Sequence, residues 1–326
     1  MIGAGAVGLT LAARLARAGM PVRLVTRDIG SARSLESGGI RVEDPKTGEQ
    51  WCAPVGAVAG LENADLEGAD RPLLICVRST DTEALAFQLS ELAPNAAVVS
   101  VQNGVDNDDL LARYFPRVIG AVWRQTCTRV EPDLVRFTGQ GRVVVGLHPQ
   151  GFAPEVEVLA QDLRRADYDV GISSRIAEDR WLKLCVNLMS APNALIRRED
   201  HDRPPFVEVK ARLLEEARAV LAATGIEARS CDGRDRSLDQ EIRHQRESLE
   251  RGTSARRIPL YNQVWSSLRS DAPLEADGYH QRILELAAAH GIGVPINARV
   301  LEKLIEAKTG HRGPECFSAA ELLAPS

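Results

Sequence analysis

Near the start of the chain, Gly3-Ala4-Gly5-Ala6-Val7-Gly8 forms a G-x-G-x-x-G loop that runs directly into an apolar, helix-forming stretch. Glycine at the first position allows a tight turn, and at the second it lets the backbone approach a pyrophosphate. Glycine at the third lets helix and strand pack closely. Free N–H groups and the helix dipole then attract phosphate to the segment Gly3, Gly5, Ala6, Val7 and Gly8. In a chain with 26 glycines the pattern alone is generic, but here it stands between a strand remnant and a helix. A second apolar run follows and ends at Thr26-Arg27. An NAD site would offer Asp or Glu there to the ribose hydroxyls. A guanidinium instead grips a 2′-phosphate through paired hydrogen bonds, so Arg27 points to NADP(H). Asp28 follows and complicates that choice, and a solvated surface arginine is the alternative reading of Arg27.

These residues need a sheet to hold them. Residues 9–18 carry helical spacing, and 21–27, 73–78, 96–102 and 118–123 are apolar, strand-like runs with a helical pattern at 81–92. Alternation of this kind predicts a parallel sheet covered by helices on both faces, a Rossmann-like doubly wound α/β domain. Within 127–147, TRVEPDLVRFTG and RVVVGL read as an antiparallel pair closing the sheet edge. Beyond about residue 174 the pattern becomes helical throughout, over 176–195, 206–223, 277–289 and 297–307. The expected division is 1–173 for cofactor binding and 174–326 for an all-α catalytic and substrate domain. Residues 228–258 are polar and fit either a solvated helix or an insertion. Only Met1 and Ile2 precede Gly3, whereas a strand usually has about five residues, so the first strand is expected to begin upstream of Met1.

Bulk properties narrow the partners. A formal charge of −5 argues against nucleic acid or an anionic membrane as the main ligand. No uncharged apolar run approaches the roughly 18 residues of a membrane span. Six cysteines show no CxxC spacing, Cys76 and Cys185 read as buried reduced thiols, and the cytoplasm is the expected compartment. The six histidines form no metal-ligand spacing. His201 reads as solvated in a charged run, and His290 as a helix C-terminal residue. No metal is expected, and a homodimer is compatible with the sequence without being read from it.

Four blocks stand in order along the chain: IGAGAVG with Arg27; Val101-Gln102-Asn103-Gly104-Val105; Trp181-Leu182-Lys183-Leu184-Cys185-Val186-Asn187; and Glu275-Ala276-Asp277 with His290-Gly291-Ile292-Gly293-Val294-Pro295. Together they resemble the ketopantoate reductase (2-dehydropantoate 2-reductase) family over nearly the whole length. The resemblance implies an oxidoreductase of pantothenate biosynthesis that reduces 2-dehydropantoate to (R)-pantoate with NADPH. Lys183 is then the catalytic acid. It is a charge within an otherwise apolar helix, where desolvation would lower its pKa and suit proton donation; a lysine snorkelling at a helix edge is the alternative. Asn187, one turn later on the same face, binds substrate or orients the amine. The resemblance makes Glu275 the partner of the lysine and of the substrate hydroxyl, where otherwise it would serve only the helix dipole. Asn103 and Arg78, each at a strand end, are assigned to the cofactor.

Two departures bear on the substrate. The family's second asparagine beyond the lysine has no clean match in Met189-Ser190-Ala191-Pro192-Asn193, leaving Asn193 as the candidate. The family's carboxylate-binding serine is replaced near Asn262 and Gln263, whose amides can donate to a carboxylate. The same machinery acting on another 2-oxo acid or ketone is the first alternative, and a non-catalytic NADP(H)-binding sensor the second.

Overall fold

The structure is a computed structural model that describes residues 1–44, 47–66, 71–139, 141–248, 263–270 and 272–324. It divides into two compact units, Met1–Arg180 and Trp181–Ser326.

The first unit opens with α1 (Ala6–Arg17), β1 (Arg23–Thr26), α2 (Ile29–Gly38), β2 (Ile40–Glu43), β3 (Gln50–Ala53) and β4 (Gly56–Ala59). It continues through β5 (Leu73–Ile75), α3 (Thr82–Leu92), β6 (Ala97–Ser100), α4 (Asp106–Leu111) and β7 (Arg117–Trp123). It closes with β8 (Thr126–Glu131), β9 (Leu134–Gly139), β10 (Val143–Leu147), α5 (Pro154–Arg165) and β11 (Val170–Ile172). The main sheet runs β4-β1, then Ile2, then β5-β6-β7-β10-β11, because Ile2 bridges in parallel to both Val25 and Ile75. Ile2 thus occupies the place between β1 and β5 in the sheet. Ile2 N donates to Leu74 O at 2.8 Å, Cys76 N to Ile2 O at 2.8 Å, and Gly3 N to Val25 O at 3.0 Å.

Strand side chains alternate between the two faces, as a doubly wound sheet requires. Val99 and Ile119 pack with Leu11 and Leu15 of α1 and Leu159 and Leu163 of α5. Their neighbours Val98 and Val118 pack with Ala86 and Leu89 of α3 and Leu111 of α4. The parallel strands from β4 to β7 put the loops that follow Ile2, β1, β5 and β6 on one edge, where such folds bind ligands.

The antiparallel pair expected within 127–147 is corrected in its partners. β8 and β9 form a hairpin with each other, in a second sheet ordered β3-β2-β9-β8. β10 instead pairs antiparallel with β7 and joins the main sheet. The reason is burial. Val135 and Phe137 of β9 cluster with Leu9, Ala12 and Ala13 of α1, a side of that helix apart from the Leu11 and Leu15 that pack on Val99 and Ile119. β10 is buried as fully as a central strand, with Val143, Val144 and Val145 at 0% exposure.

α6 (Ile176–Asn187) spans the division between the units. The second unit then holds α7 (Ser190–Leu195), α8 (Pro204–Thr224), α9 (Leu238–Glu247), α10 (Gln263–Arg269), α11 (Ala276–Ala289), α12 (Pro295–Thr309) and α13 (Ala319–Leu323). α8 buries Phe206, Val209, Leu213, Leu214, Ala217, Val220 and Leu221, the stripe its spacing predicts, and stops at left-handed Gly225. Part of 228–258 is helical: α9 starts at a capping box made by Ser237 and Gln240.

His201 departs from expectation. It is buried at 2% exposure, and its ring stacks on Phe206 with centroids 4.2 Å apart. Its Nε2 lies 3.1 Å from Ile196 O. Burial holds its pKa below the ordinary histidine value. The charged run around it is solvated, but this ring turns inward to the aromatic. His290 caps α11 as expected, with Nδ1 3.0 Å from Leu286 O. Cys185 is a buried free thiol, pushed up to about 12 by burial.

Candidate active site

The glycine loop has the shape its spacing requires. Gly3 has φ +108°, and a Cβ there would lie 2.8 Å from Cys76 C. A Cβ on Gly8 would lie 2.1 Å from Gly3 O. Gly5 is different, since a Cβ there meets nothing nearer than Cys76 O at 3.9 Å, leaving its outer side open to a ligand. Gly5 is the N-cap of α1, and helical bonding begins at Leu9 N to Gly5 O, 2.9 Å. The N–H groups of Ala6, Val7 and Gly8 thus precede the first intrahelical bond, and no acidic residue lies in that first turn. Close backbone, an open glycine and unspent N–H groups fit a dinucleotide pyrophosphate.

The other candidates of this unit gather along the same sheet edge. Arg27 follows β1 with its side chain 83% exposed, 3.9 Å from Asp81. Asp28 is spent locally: its carboxylate caps α2 by accepting from Ser31 N at 2.7 Å. That backbone bond is the main cause holding the Asp28 carboxyl below its ordinary pKa. Arg78 is exposed after β5, at the cap of a short 3-10 turn, Ser79–Asp81. Asn103 follows β6 and is half-buried, and its carbonyl accepts from Asn107 Nδ2 at 2.8 Å.

A polar network lies beneath that turn, and of its members only Gln102 stands in a motif. Asn107 Nδ2 also donates to Ser79 Oγ at 3.0 Å, and Thr82 Oγ1 donates to Asn107 Oδ1 at 2.9 Å. Gln102 Nε2 donates to Thr82 Oγ1 at 2.6 Å. Arg180, 3% exposed, forms a bidentate pair with Asp108 through Nε at 3.0 Å and NH2 at 2.7 Å. It also donates to Gln102 O at 2.5 Å, Ser100 O at 2.7 Å and Ser100 Oγ at 3.0 Å. The other sequence hints are the acidic run Asp106–Asp109 just after Gly104, and an arginine one turn before Lys183.

In the second unit Lys183 is 9% exposed on α6, between the buried Leu182 and Leu184. Asn187 ends the helix half-buried, and Ser190 Oγ donates to its carbonyl at 2.6 Å. Asn193 is half-buried on α7, and its amide oxygen is buried without a hydrogen-bond partner among the described residues. Glu275 is the N-cap of α11, but its side chain makes no capping bond to that helix. Burial first, then the carboxylates of Glu275 and Asp277, push the Tyr279 phenol far up. Gln263 is exposed at the start of α10. Asn262 lies outside the described residues. Among the described residues no cluster of three or more His, Cys, Asp or Glu could hold a metal. No helix among them is long and apolar enough to cross a membrane.

Fold and glycine loop define a dinucleotide-binding protein, and comparison with known proteins gives the class. Residues 1–150 match the family "Ketopantoate reductase PanE/ApbA", and residues 175–308 match its C-terminal domain. The chain belongs to the ketopantoate reductase family and is an oxidoreductase acting on a 2-oxo acid, of the 2-dehydropantoate 2-reductase type. It is similar to the 2-dehydropantoate 2-reductase of Pyrococcus abyssi, 25% identical over 96% of this chain and 98% of that protein. A crystal structure of a PanE/ApbA family ketopantoate reductase from Ralstonia eutropha JMP134 superposes with a TM-score of 0.77 at 27% identity, covering 95% of this chain and 98% of the other. D-mandelate dehydrogenase, solved with NADH and anilino(oxo)acetate, shares the fold with a TM-score of 0.75 at 18% identity, covering 95% and 98%.

Proposed function

We propose that this chain reduces 2-dehydropantoate to (R)-pantoate with NADPH in the cytoplasm. Residues 1–173 hold the cofactor and 174–326 supply the substrate site and the catalytic groups. The observation that carries the reading is an ammonium, Lys183, 9% exposed between the buried Leu182 and Leu184 of α6. A helix built only for packing gains nothing from a charge there, because burial costs it its hydration.

A bound reduced nicotinamide supplies the hydride. Lys183 gives its proton to the carbonyl oxygen as negative charge develops there. Asn187, four residues on, offers an amide on the same face of α6. Glu275, with a side chain not used to cap its own helix, accepts a substrate hydroxyl and partners the lysine. Asn193, Asn262 and Gln263 bind the carboxylate or hydroxyl groups of the substrate. NADPH is favoured over NADH by Arg27, the open cation at the end of β1, now that Asp28 is committed to capping α2. Arg78 and Asn103 complete the cofactor contacts.

Another 2-oxo acid is the second reading. It is favoured by the departures from the family pattern at Met189-Ser190-Ala191-Pro192-Asn193 and near Asn262 and Gln263. The deciding measurement is NADPH oxidation with 2-dehydropantoate beside a panel of 2-oxo acids. Turnover restricted to another acid would overturn the named substrate. Lys183→Ala is expected to lower kcat by about 10²–10⁴-fold, and undiminished turnover would remove the lysine from its role.

A further inference from the structure

We propose that Arg180 is a positioning residue for the cofactor: from beneath, it fixes the turn that presents Asn103. The inference rests on the reading of Asn103 as a cofactor ligand and adds a residue that neither motif nor spacing assigns.

The turn after β6 is held by its backbone. The guanidinium takes the carbonyls of Ser100 and Gln102, and Asn107 takes that of Asn103. Side chains close the same circuit. Ser100 Oγ accepts from Arg180, Gln102 Nε2 donates to Thr82, and Thr82 donates to Asn107, which also holds Ser79 beside Arg78. Two of the assigned cofactor residues, Arg78 and Asn103, are thereby referenced to one buried scaffold.

Stability alone does not account for the arrangement. A buried ion pair gains little over apolar residues of equal volume, because both charges lose their hydration. The chain nevertheless makes room for this one. A Cβ at Gly120 would lie 2.5 Å from Asp108 Oδ2 and 2.9 Å from Ile176 Cγ1, so β7 carries glycine where the carboxylate passes. Arginine is also specified over lysine. The planar fork reaches two carboxylate oxygens, two carbonyls and a hydroxyl at once, and a point-charge ammonium cannot. Lys183 follows one turn later on the same helix. The residue that fixes the turn is thus also the anchor from which the helix of the proposed acid continues.

The test compares two ligands on wild type and Arg180→Lys by calorimetric titration. NADPH probes the whole site, and 2′,5′-ADP probes only the glycine loop and the Arg27 end. Arg180→Lys is expected to weaken NADPH at least tenfold and to leave 2′,5′-ADP within twofold. In Arg180→Ala, millimolar guanidinium is expected to restore NADPH binding. A merely structural role would weaken both ligands alike; that result, or unchanged NADPH binding, overturns the proposal. If wild type binds 2′,5′-ADP and NADPH but Arg180→Lys behaves as wild type, this inference alone falls. If wild type binds neither ligand, the NADPH reading falls and takes this one with it. Should Arg180→Lys fail to fold, the paired Arg180→Met with Asp108→Asn leaves no lone buried charge and is read the same way.

Discussion

Arg27 shows how one side chain can choose between cofactors that differ by a single phosphate. It leaves the carboxyl end of β1 with its side chain 83% exposed, 3.9 Å from Asp81. Its neighbour Asp28 would repel a phosphate if it pointed outward, but its carboxylate is held by Ser31 N. A guanidinium–phosphate hydrogen bond is worth about 1.5–3 kcal/mol, or roughly 10–150-fold in affinity. Arg27→Ala is therefore expected to raise KM for NADPH by one to two orders of magnitude while leaving KM for NADH nearly unchanged. Paired steady-state titrations of the two cofactors would show this, and an equal rise in both would remove Arg27 from the phosphate site. Glu275 makes a second prediction at this scale. Glu275→Gln keeps the volume but loses the carboxylate, so kcat is expected to fall with little change in NADPH affinity, read from the same titrations.

At the scale of elements, the parts that position the site are caps and close approaches. α12 begins at Pro295, and its first N–H groups are satisfied from another helix. Glu216 of α8 accepts from Ile296 N and Asn297 N, both at 2.9 Å, and from Asn297 Nδ2 at 2.9 Å. Glu216→Ala orphans these donors and is expected to cost about 1–3 kcal/mol, measurable as a lowered urea midpoint. Gly8→Ala is expected to abolish cofactor binding, since the added methyl would meet Gly3 O within the turn; unchanged NADPH affinity would contradict the tight-turn account.

The elements also show what a sequence can and cannot display. The glycine loop, the parallel strands and the α8 stripe are periodic or conformationally demanding, so local residue types announce them. The side sheet is not announced. β8 and β9 resemble an edge pair for the main sheet until one sees that α1 has a second apolar side, Leu9, Ala12 and Ala13, needing cover. β2, β3 and β4 are four residues each, too short to stand out by alternation. Arg180 and Asp108 read as ordinary polar residues at helix starts, because their burial is decided by Gly120, 60 residues away from Arg180 in the chain. Lys183 is legible because a charge between Leu182 and Leu184 breaks a local rule, whereas the network beneath Asn103 breaks none.

For the molecule as a whole, the response to pH follows from a histidine that carries no proposed chemistry. His280 lies on α11, 0% exposed, with Nδ1 3.0 Å from Asn297 Oδ1. An amide oxygen only accepts, so Nδ1 carries the hydrogen and the ring sits neutral. Burial lowers its pKa to about 4, and the bond to Asn297 opposes that shift only in part. The folded value lies below the unfolded value of about 6.5, so in acid the unfolded chain binds a proton that the folded one refuses. The stability associated with neutral His280 is complete above pH 6.5 and is lost as the pH falls towards 4. The shift corresponds to about 3 kcal/mol, a large fraction of a domain's total. His201, lowered in the same direction by burial, adds to the same window. Urea unfolding between pH 7 and pH 4 should therefore show a midpoint that falls with acidity. In His280→Gln the fall should be shallower, whatever the absolute stability of the variant at neutral pH. Parallel curves for wild type and variant would mean that the ring accepts its second proton inside the fold, and that the packing of α11 against Asn297 yields to charge more readily than its burial implies.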